Sequence, residues 1–300
     1  MHRLAGAGAR VVGLDVSWSD GGSLGSAPGA STLHADVRDA DAVQRILTRS
    51  GIDTVIHLAA QSLVGPANEH PVPTFETNIA GTWTVLEAAR HHSTVTRIVV
   101  ASSDKAYGDA GGHPYEESMP LLARHPYAVS KACADLLAQA YAVSYDMPVA
   151  VSRCGNLYGG GDLNWSRVIP GTIRSIIEGQ RPVIRSDGSY VRDYLYVEDA
   201  VDGVLRLAED VGERTQLCGE SFNFGAGERL SVLDVVHRIL SIMESDLDPD
   251  IRNEAENEIH EQRVSASKAR TMLGWEPFYG LDQGLERTIA WYREHLMATP

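Results

Sequence analysis

At 300 residues, with 43% hydrophobic and 22% charged side chains, the chain can bury a sizeable core, and no stretch approaches the roughly 20 apolar residues a membrane helix needs. A net charge of −14 without clustered Lys and Arg excludes a nucleic-acid footprint, while a few placed arginines could still hold a small anion. No membrane partner and no export pattern is read at the N-terminus, so the expected location is cytoplasmic.

From residue 10 to about 156, short β-branched runs alternate with helical patterns, as βαβ units of a parallel sheet do. Strands are expected at Arg10 to Val16, Thr32 to Val37, Asp53 to Ala60, Arg97 to Ser103 and Val149 to Asn156. Helices are expected at Asp39 to Thr48, Pro73 to His91 and Pro126 to Ser144. A Gly-rich segment at Tyr158 to Asp162 opens a second region. It holds helices at Val168 to Glu178, Ser231 to Met243, Ser267 to Leu273 and Leu281 to His295, strands at Pro182 to Arg185 and Ser221 to Gly225, and a poorly periodic acidic stretch from Glu244 to Glu261. The expected fold class is α/β: a Rossmann-type doubly wound parallel sheet in 1–157, with a smaller C-terminal α/β substrate region in 158–300, the chain crossing between the two. Cys133, Cys154 and Cys218 are scattered without metal-ligand spacing; they read as reduced packing residues, and no metal site is expected.

Tyr127 and Lys131 stand four apart in HPYAVSK, and Pro126 suits the first turn of a helix, so both side chains emerge from one helical face. An ammonium beside a phenol favours the phenolate, which lets tyrosine act as a base. Ser103 falls at the carboxyl end of an expected parallel strand, where open α/β sheets place their ligands.

Five motifs in order carry a resemblance: SSDKAYG at Ser102 to Gly108, Tyr127-x-x-x-Lys131, RCGNLYGGG at Arg153 to Gly161, RDYLYVEDA at Arg192 to Ala200, and SKARTMLGW at Ser267 to Trp275. The chain resembles the extended short-chain dehydrogenase/reductases that act on nucleotide sugars, the NAD-dependent epimerase/dehydratase family, and within it the CDP-glucose and GDP-mannose 4,6-dehydratase-like enzymes. The resemblance implies that Tyr127 removes the sugar C4 hydroxyl proton while hydride passes to NAD. Lys131 would lower the Tyr127 pKa and bond the nicotinamide ribose, and Ser103 would hold the C4 oxygen.

Asp104 and Lys105 bear on the subclass. A 4-epimerase only returns hydride to a turned-over keto sugar, and its residues here are usually uncharged. A 4,6-dehydratase must remove the C5 proton and expel the C6 hydroxyl, which calls for an acid and a base side by side. Asp104 would protonate the leaving oxygen and Lys105 assist at C5, as the Asp-Lys pair of CDP-glucose 4,6-dehydratases implies; dTDP-glucose 4,6-dehydratases carry Asp-Glu there. On the cofactor side, the resemblance assigns Asp15 to the adenosine ribose, with no arginine following for a 2′-phosphate, so NAD is favoured over NADP. Asp36 and Val37 match an adenine contact, and Leu58, Ala59, Ala60 and Gln61 match the turn beside the cofactor's phosphates and ribose. Asn156 and Arg192 would hold the nucleotide diphosphate, with Arg167 adding a contact. His57 reads as a core histidine, and Asp199 and Trp275 read as structural. A homodimer through the helices at Pro73 to His91 and Pro126 to Ser144 is implied by resemblance. The stretch Asn253 to Gln262 departs from the Arg-Pro-Gly/Ala-Asp pattern of many relatives.

One expected part is missing. The first strand and its Gly-x-x-Gly-x-x-Gly turn do not occur in this sequence; Gly6 and Gly8 precede a strand rather than follow one, and Gly159 to Gly161 lie downstream of the cofactor half. Met1 is therefore read as an internal methionine or a misassigned start, with His2 to Gly8 the tail of the first helix. The leading expectation is an NAD-dependent nucleotide-sugar 4,6-dehydratase. The alternatives are a 4-epimerase on the same scaffold and a catalytically silent sugar-nucleotide-binding or partner protein.

Overall fold

The computed structural model describes residues 1–17, 29–254 and 259–297; residues 255–258, inside the stretch that departs from the relatives' pattern, lie outside these. The chain divides into two compact units, one of 1–101, 124–151 and 208–220, the other of 102–123, 152–207 and 221–300. Where the sequence pattern puts one boundary at 157/158, the changeover lies at 151/152, and 102–123 and 208–220 are exchanged between the units.

The first unit opens with α1 (His2–Gly6), where the tail of a helix is expected, then β1 (Val11–Asp15) and β2 (Ala30–His34), paired in parallel. The second strand ends at His34 rather than Val37. The cause is local: the Asp36 carboxylate accepts the Arg38 backbone N–H at 2.8 Å, an Asx-type turn that takes the chain out of the ladder. Next come α2 (Ala40–Ser50), β3 (Thr54–His57) and α3 (Val64–Glu69). Asp39 caps α2 by accepting the Ala42 N–H at 2.9 Å, and Gly51 closes it in the left-handed conformation, φ 55°.

The single helix expected over Pro73 to His91 is instead α4 (Pro71–Phe75), a π-helical turn at Glu76–Ala80 and α5 (Gly81–Arg90). β4 (Arg97–Ala101), α6 (Pro126–Tyr145) and β5 (Val149–Cys154) follow, with strands ordered β5-β4-β3. Val43, Leu47, Leu86, Ile98, Val100, Val149 and Val151 form the core of this unit. Among the described residues β1 and β3, which the doubly wound order would set on either side of one further strand, belong to different sheets.

The second unit holds a 3₁₀ turn at Asp104–Tyr107, β6 (Asn156–Tyr158), α7 (Val168–Ile177), β7 (Val183–Ile184), β8 (Val191–Arg192), β9 (Tyr194–Tyr196) and most of α8 (Val197–Glu213). β10 (Ser221–Phe224), β11 (Leu230–Ser231), α9 (Val232–Ile242), β12 (Asp250–Ile251), β13 (Glu261–Gln262), α10 (Ser267–Leu273) and α11 (Leu281–Met297) complete it. β6 pairs β9 in parallel, Asn156 opposite Tyr194. Tyr158, Ile173, Tyr194, Val235, Ile239, Leu285 and Tyr292 pack its core. Asp199 and Trp275 are structural, as read: the Asp199 carboxylate accepts the N–H groups of Phe278 at 2.8 Å and Tyr279 at 3.1 Å, and Trp275 Nε1 donates to the Asp199 carbonyl at 3.2 Å. Among the described residues no helix is long and apolar enough to cross a membrane.

Candidate active site

In the first unit, α6 starts with Pro126 at its first turn, so the missing proline N–H leaves no orphan donor, and Tyr127 and Lys131 follow one turn apart. Tyr127 is half-buried and Lys131 buried. The Lys131 ammonium donates to the carbonyl of Ala101, the last residue of β4, which ties the helix to the strand end. Between them Ser130 is wholly buried and donates from Oγ to the Tyr127 carbonyl at 2.7 Å.

Ser130 Oγ in turn accepts from Asn78 Nδ2 at 2.8 Å, and the same amide clasps the expected cofactor turn: Nδ2 donates to the Gln61 carbonyl at 2.9 Å and Oδ1 accepts the Gln61 N–H at 2.7 Å. Asn78 is buried and sits in the π-helical turn, a widened turn of the kind often found at functional sites. The sequence reading missed it. The only local signal is an asparagine in the middle of an otherwise apolar helical pattern.

His57 behaves as the core histidine expected. It is buried, its Nε2 lies 3.0 Å from Thr82 Oγ1, and burial pushes its pKa down to about 3, with the Lys131 charge acting in the same direction.

The expected cofactor residues fall at the carboxyl ends of parallel strands, where open α/β sheets bind their ligands. Asp15 ends β1, exposed, with Oδ1 accepting the Ser17 N–H at 2.9 Å. Leu58 to Gln61 follow β3, with Leu58 63% exposed beside the small Ala59 and Ala60. Val37 is buried against α5: a Cβ on Gly81 would come within 2.8 Å of Val37 Cγ2, so that position admits only glycine without a shift. Asp36 is already engaged. Arg38 forks onto both its carboxylate oxygens, at 3.1 Å from Nε to Oδ1 and 2.6 Å from Nη2 to Oδ2, and these hydrogen bonds hold the carboxyl below its usual range. The set fits the ribose and nicotinamide ends of a dinucleotide: an exposed carboxylate for vicinal hydroxyls, small residues at a strand end, and a lysine beside a tyrosine.

In the second unit, Ser103, Asp104 and Lys105 form the start of the 3₁₀ turn. Ser103 caps it, its Oγ accepting the Lys105 N–H at 3.3 Å and donating to Asp104 Oδ1 at 3.0 Å. Asp104 is 1% exposed and its Oδ2 has no hydrogen-bond partner among the described residues. Lys105 Nζ lies 3.6 Å from Asp104 Oδ1 and donates to Asn156 Oδ1 at 3.2 Å. The pair is thus a buried carboxyl beside an ammonium whose side chain stays 26% exposed.

A buried network holds the turn from behind. Tyr107 donates to Asn223 Oδ1 at 2.8 Å and accepts from Arg153 Nη1 at 2.8 Å, while Asn223 Nδ2 donates to the Tyr115 carbonyl at 3.0 Å. Burial pushes the Tyr107 phenol up to about 12, so it remains a neutral donor.

The expected diphosphate ligands separate here. The Asn156 N–H donates to the Asp193 carbonyl at 2.9 Å, which brings Asn156 beside the Arg192-Asp193 segment. Arg192 Nη1 donates to the carbonyls of Val191 at 2.9 Å and His260 at 3.2 Å. Arg167 stands apart at the start of α7, ion-paired with Asp162 at 3.0 Å. Asp193 is wholly buried and accepts the N–H groups of Ala226 at 2.8 Å, Gly227 at 3.2 Å and Val264 at 3.4 Å; burial pushes its pKa up to about 6.

Comparison with known proteins adds four findings. The profile of the GDP-mannose 4,6 dehydratase family matches residues 15–288. The dTDP-glucose 4,6-dehydratase 1 of Escherichia coli is 32% identical over 286 residues, covering 86% of this chain and 77% of that protein. Among solved structures, a dTDP-glucose 4,6-dehydratase of Streptomyces venezuelae with NAD bound matches with a TM-score of 0.85 at 28% identity, covering 97% of this chain and 92% of that one. The UDP-glucose 4-epimerase of Thermotoga maritima with UDP-glucose matches with a TM-score of 0.89 at 26% identity, over 98% and 94%.

Proposed function

The chain belongs to the GDP-mannose 4,6 dehydratase family, and from that membership we propose an NAD-dependent nucleotide-sugar 4,6-dehydratase whose chemistry is divided among Tyr127, Lys131, Ser103, Asp104 and Lys105. The observation that carries the reading is the buried Asp104 beside Lys105, 3.6 Å apart, because an acid and a base side by side serve an elimination and have no task in a simple epimerisation.

In this reading Tyr127 takes the proton of the C4 hydroxyl while Ser103 holds the C4 oxygen, and Lys131 keeps the phenol oriented. NAD, when bound, supplies the acceptor for the C4 hydride and its return to C6. The 4-keto group acidifies C5; Lys105 takes the C5 proton, the C6–O bond breaks, and Asp104 protonates the departing oxygen so that water leaves. The proton held by Lys105 then goes back to C5, giving a 4-keto-6-deoxy sugar. Asp104 Oδ2 is buried and has no hydrogen-bond partner among the described residues, which leaves it open to the departing oxygen. Asp15, Asp36, Val37, Leu58, Ala59, Ala60 and Gln61 are proposed to line the cofactor. Asn156 and Arg192, with Arg167 at the margin, are proposed to hold the diphosphate.

Incubation with NAD and a panel of sugar nucleotides tests the reading by mass spectrometry. A 4-keto-6-deoxy product, lighter than substrate by one water, is expected. A product of unchanged mass and inverted C4 would make the chain a 4-epimerase, the second reading, which the equally good match to the Thermotoga enzyme supports. A silent binding role is the least supported reading, since the matched relatives are enzymes.

We also propose a cytoplasmic homodimer. Its support is an apolar surface on two helices of the first unit, with Trp83 on α5 and Leu136 and Val143 on α6 at 48%, 55% and 79% exposure. Sedimentation of the chain and of Val143→Asp tests it: a dimer that the substitution dissociates is expected.

A further inference from the structure

The hydrogen bond between Lys105 and Asn156 has a consequence for the elimination step. Lys105 is anchored at two points on different elements: Asp104 Oδ1 within its own turn, at 3.6 Å, and Asn156 Oδ1 at the start of β6, at 3.2 Å. The second anchor is itself rigid. The Asn156 N–H donates to the Asp193 carbonyl at 2.9 Å, the Gly155 N–H donates to the Phe224 carbonyl at 3.1 Å, and a Cβ on Gly155 would sit 3.0 Å from the Asp193 carbonyl oxygen, so the backbone here is packed without slack.

A lysine on a four-carbon stem has many rotamers, and a single partner leaves much of that freedom. A second acceptor from another strand fixes the ammonium. The acceptor is neutral, and that matters for a base. A carboxylate at this place would add a second negative charge beside Lys105, after Asp104, whereas an amide oxygen orients the amine without one.

The amide's other end points the same way. Asn156 Nδ2 is buried and has no hydrogen-bond partner among the described residues, a costly state that a bound ligand would relieve.

Resting on the dehydratase reading above, we infer that Asn156 is a positioning residue for Lys105: its Oδ1 aims the amine at the sugar's C5 proton while its Nδ2 donates to the bound nucleotide sugar. The other charged or titratable groups around the turn and β6 are otherwise engaged. Asp193 is held by three backbone N–H groups, Arg192 by two carbonyls, and Tyr115 donates to the Gly108 carbonyl. The Lys105 amine therefore answers chiefly to Asp104 and Asn156.

Two variants of the full chain and two readouts test this. The first readout quenches turnover with borodeuteride, which puts one deuterium on any 4-keto carbon, and separates by mass the labelled hexose that retains its C6 oxygen from the labelled 6-deoxy product and from unreacted substrate. The second needs no substrate: the rate at which an anhydride acylates Lys105 is followed against pH by peptide mass. In Asn156→Leu the ratio of 6-deoxy product formation to C4 oxidation is expected to fall about 10- to 100-fold, the cost of a misplaced reacting group, over and above any loss of binding common to both steps. In Asn156→Asp the acylation midpoint of Lys105 is expected to rise by about one pH unit, and the pH profile of dehydration to move with it.

Equal loss of both steps in the leucine variant, or an unmoved acylation midpoint in the aspartate variant, would overturn the inference. Absence of 6-deoxy product from the unaltered chain would instead overturn the dehydratase reading, with the acylation profiles still reporting on the contact.

Discussion

Two parallel ladders of the first unit have the same pairing and opposite surroundings. β1 and β2 pair over five residues each, yet none of those residues is buried. β3 and β4 pair over four, and Ile98, Val99 and Val100 at the centre of β4 are wholly buried. Backbone pairing alone therefore does not make a core; a parallel strand is buried when it has a neighbour on each edge and helices on its faces, as β4 has with β3, β5 and α6. The proposed site residues sort along the same line. Tyr127 and Lys131 are fastened to the packed ladder, through Ala101, and Asp15 ends a strand of the open one. Damage to the packed ladder should reach fold or chemistry, and damage to the open one should reach ligand affinity alone.

The largest effect expected is that of Tyr127→Phe, which removes the proposed base and leaves a half-buried ring in place. Turnover should fall by about 10²- to 10⁴-fold with stability changed by less than about 0.5 kcal/mol, read by product assay and thermal melts. A loss below about tenfold would move the base elsewhere. Next comes the contrast between the ladders themselves. Ile98→Ala should cost about 2–5 kcal/mol in urea denaturation, since it opens a cavity in a closed core, and Val12→Ala on β1 less than about 1 kcal/mol. Equal costs would erase the distinction between the two ladders.

How much of this was legible in the sequence depends on the range over which each feature is encoded. α10 has the bounds read from its pattern, Ser267–Leu273, because its apolar period and the following Gly274 are local. α9 likewise opens on the Ser231 and Asp234 capping box. The long helix α8, Val197–Glu213, escaped because its first turn lies inside a recognised motif whose Asp199 was read only for its structural role.

Strands of two residues, such as β8, β11 and β12, are too short for any period to show. The Tyr107 and Asn223 bond joins positions 116 apart, and the Asn78 and Ser130 bond positions 52 apart, so neither has a local trace. By contrast the Asp36 and Arg38 pair spans two residues and could have warned that the second strand stops early. The motifs of the proposed site were legible because family patterns record them; the hydrogen bonds that support them were not.

A smaller effect probes the packed side by pH. His57, buried at the end of β3, has its pKa lowered from 6.5 to about 3. The unfolded chain takes up a proton below about pH 6.5 and the native chain does not, so stability falls as pH drops from there towards 3. Between about pH 6.5 and about pH 5 the loss should be about 2 kcal/mol. His57→Asn should lack that component while keeping a polar side chain near Thr82; urea midpoints at the two pH values measure it. An undiminished slope in the variant would mean that other groups carry the pH dependence.

The smallest effect is the sharpest test of the open ladder. Asp15 is exposed and among the described residues its Oδ1 serves a local turn at Ser17, so Asp15→Asn keeps that acceptor and removes the charge. If the carboxylate receives the ribose hydroxyls, losing a charge-assisted bond of about 1–1.5 kcal/mol should weaken NAD binding about tenfold by calorimetry, with the urea midpoint unchanged. No residue of β1 or β2 is buried, so the urea midpoint should not follow that charge. A variant that loses stability together with affinity would mean that the open ladder belongs to the core after all, and the division between chemistry on one ladder and affinity on the other would fail.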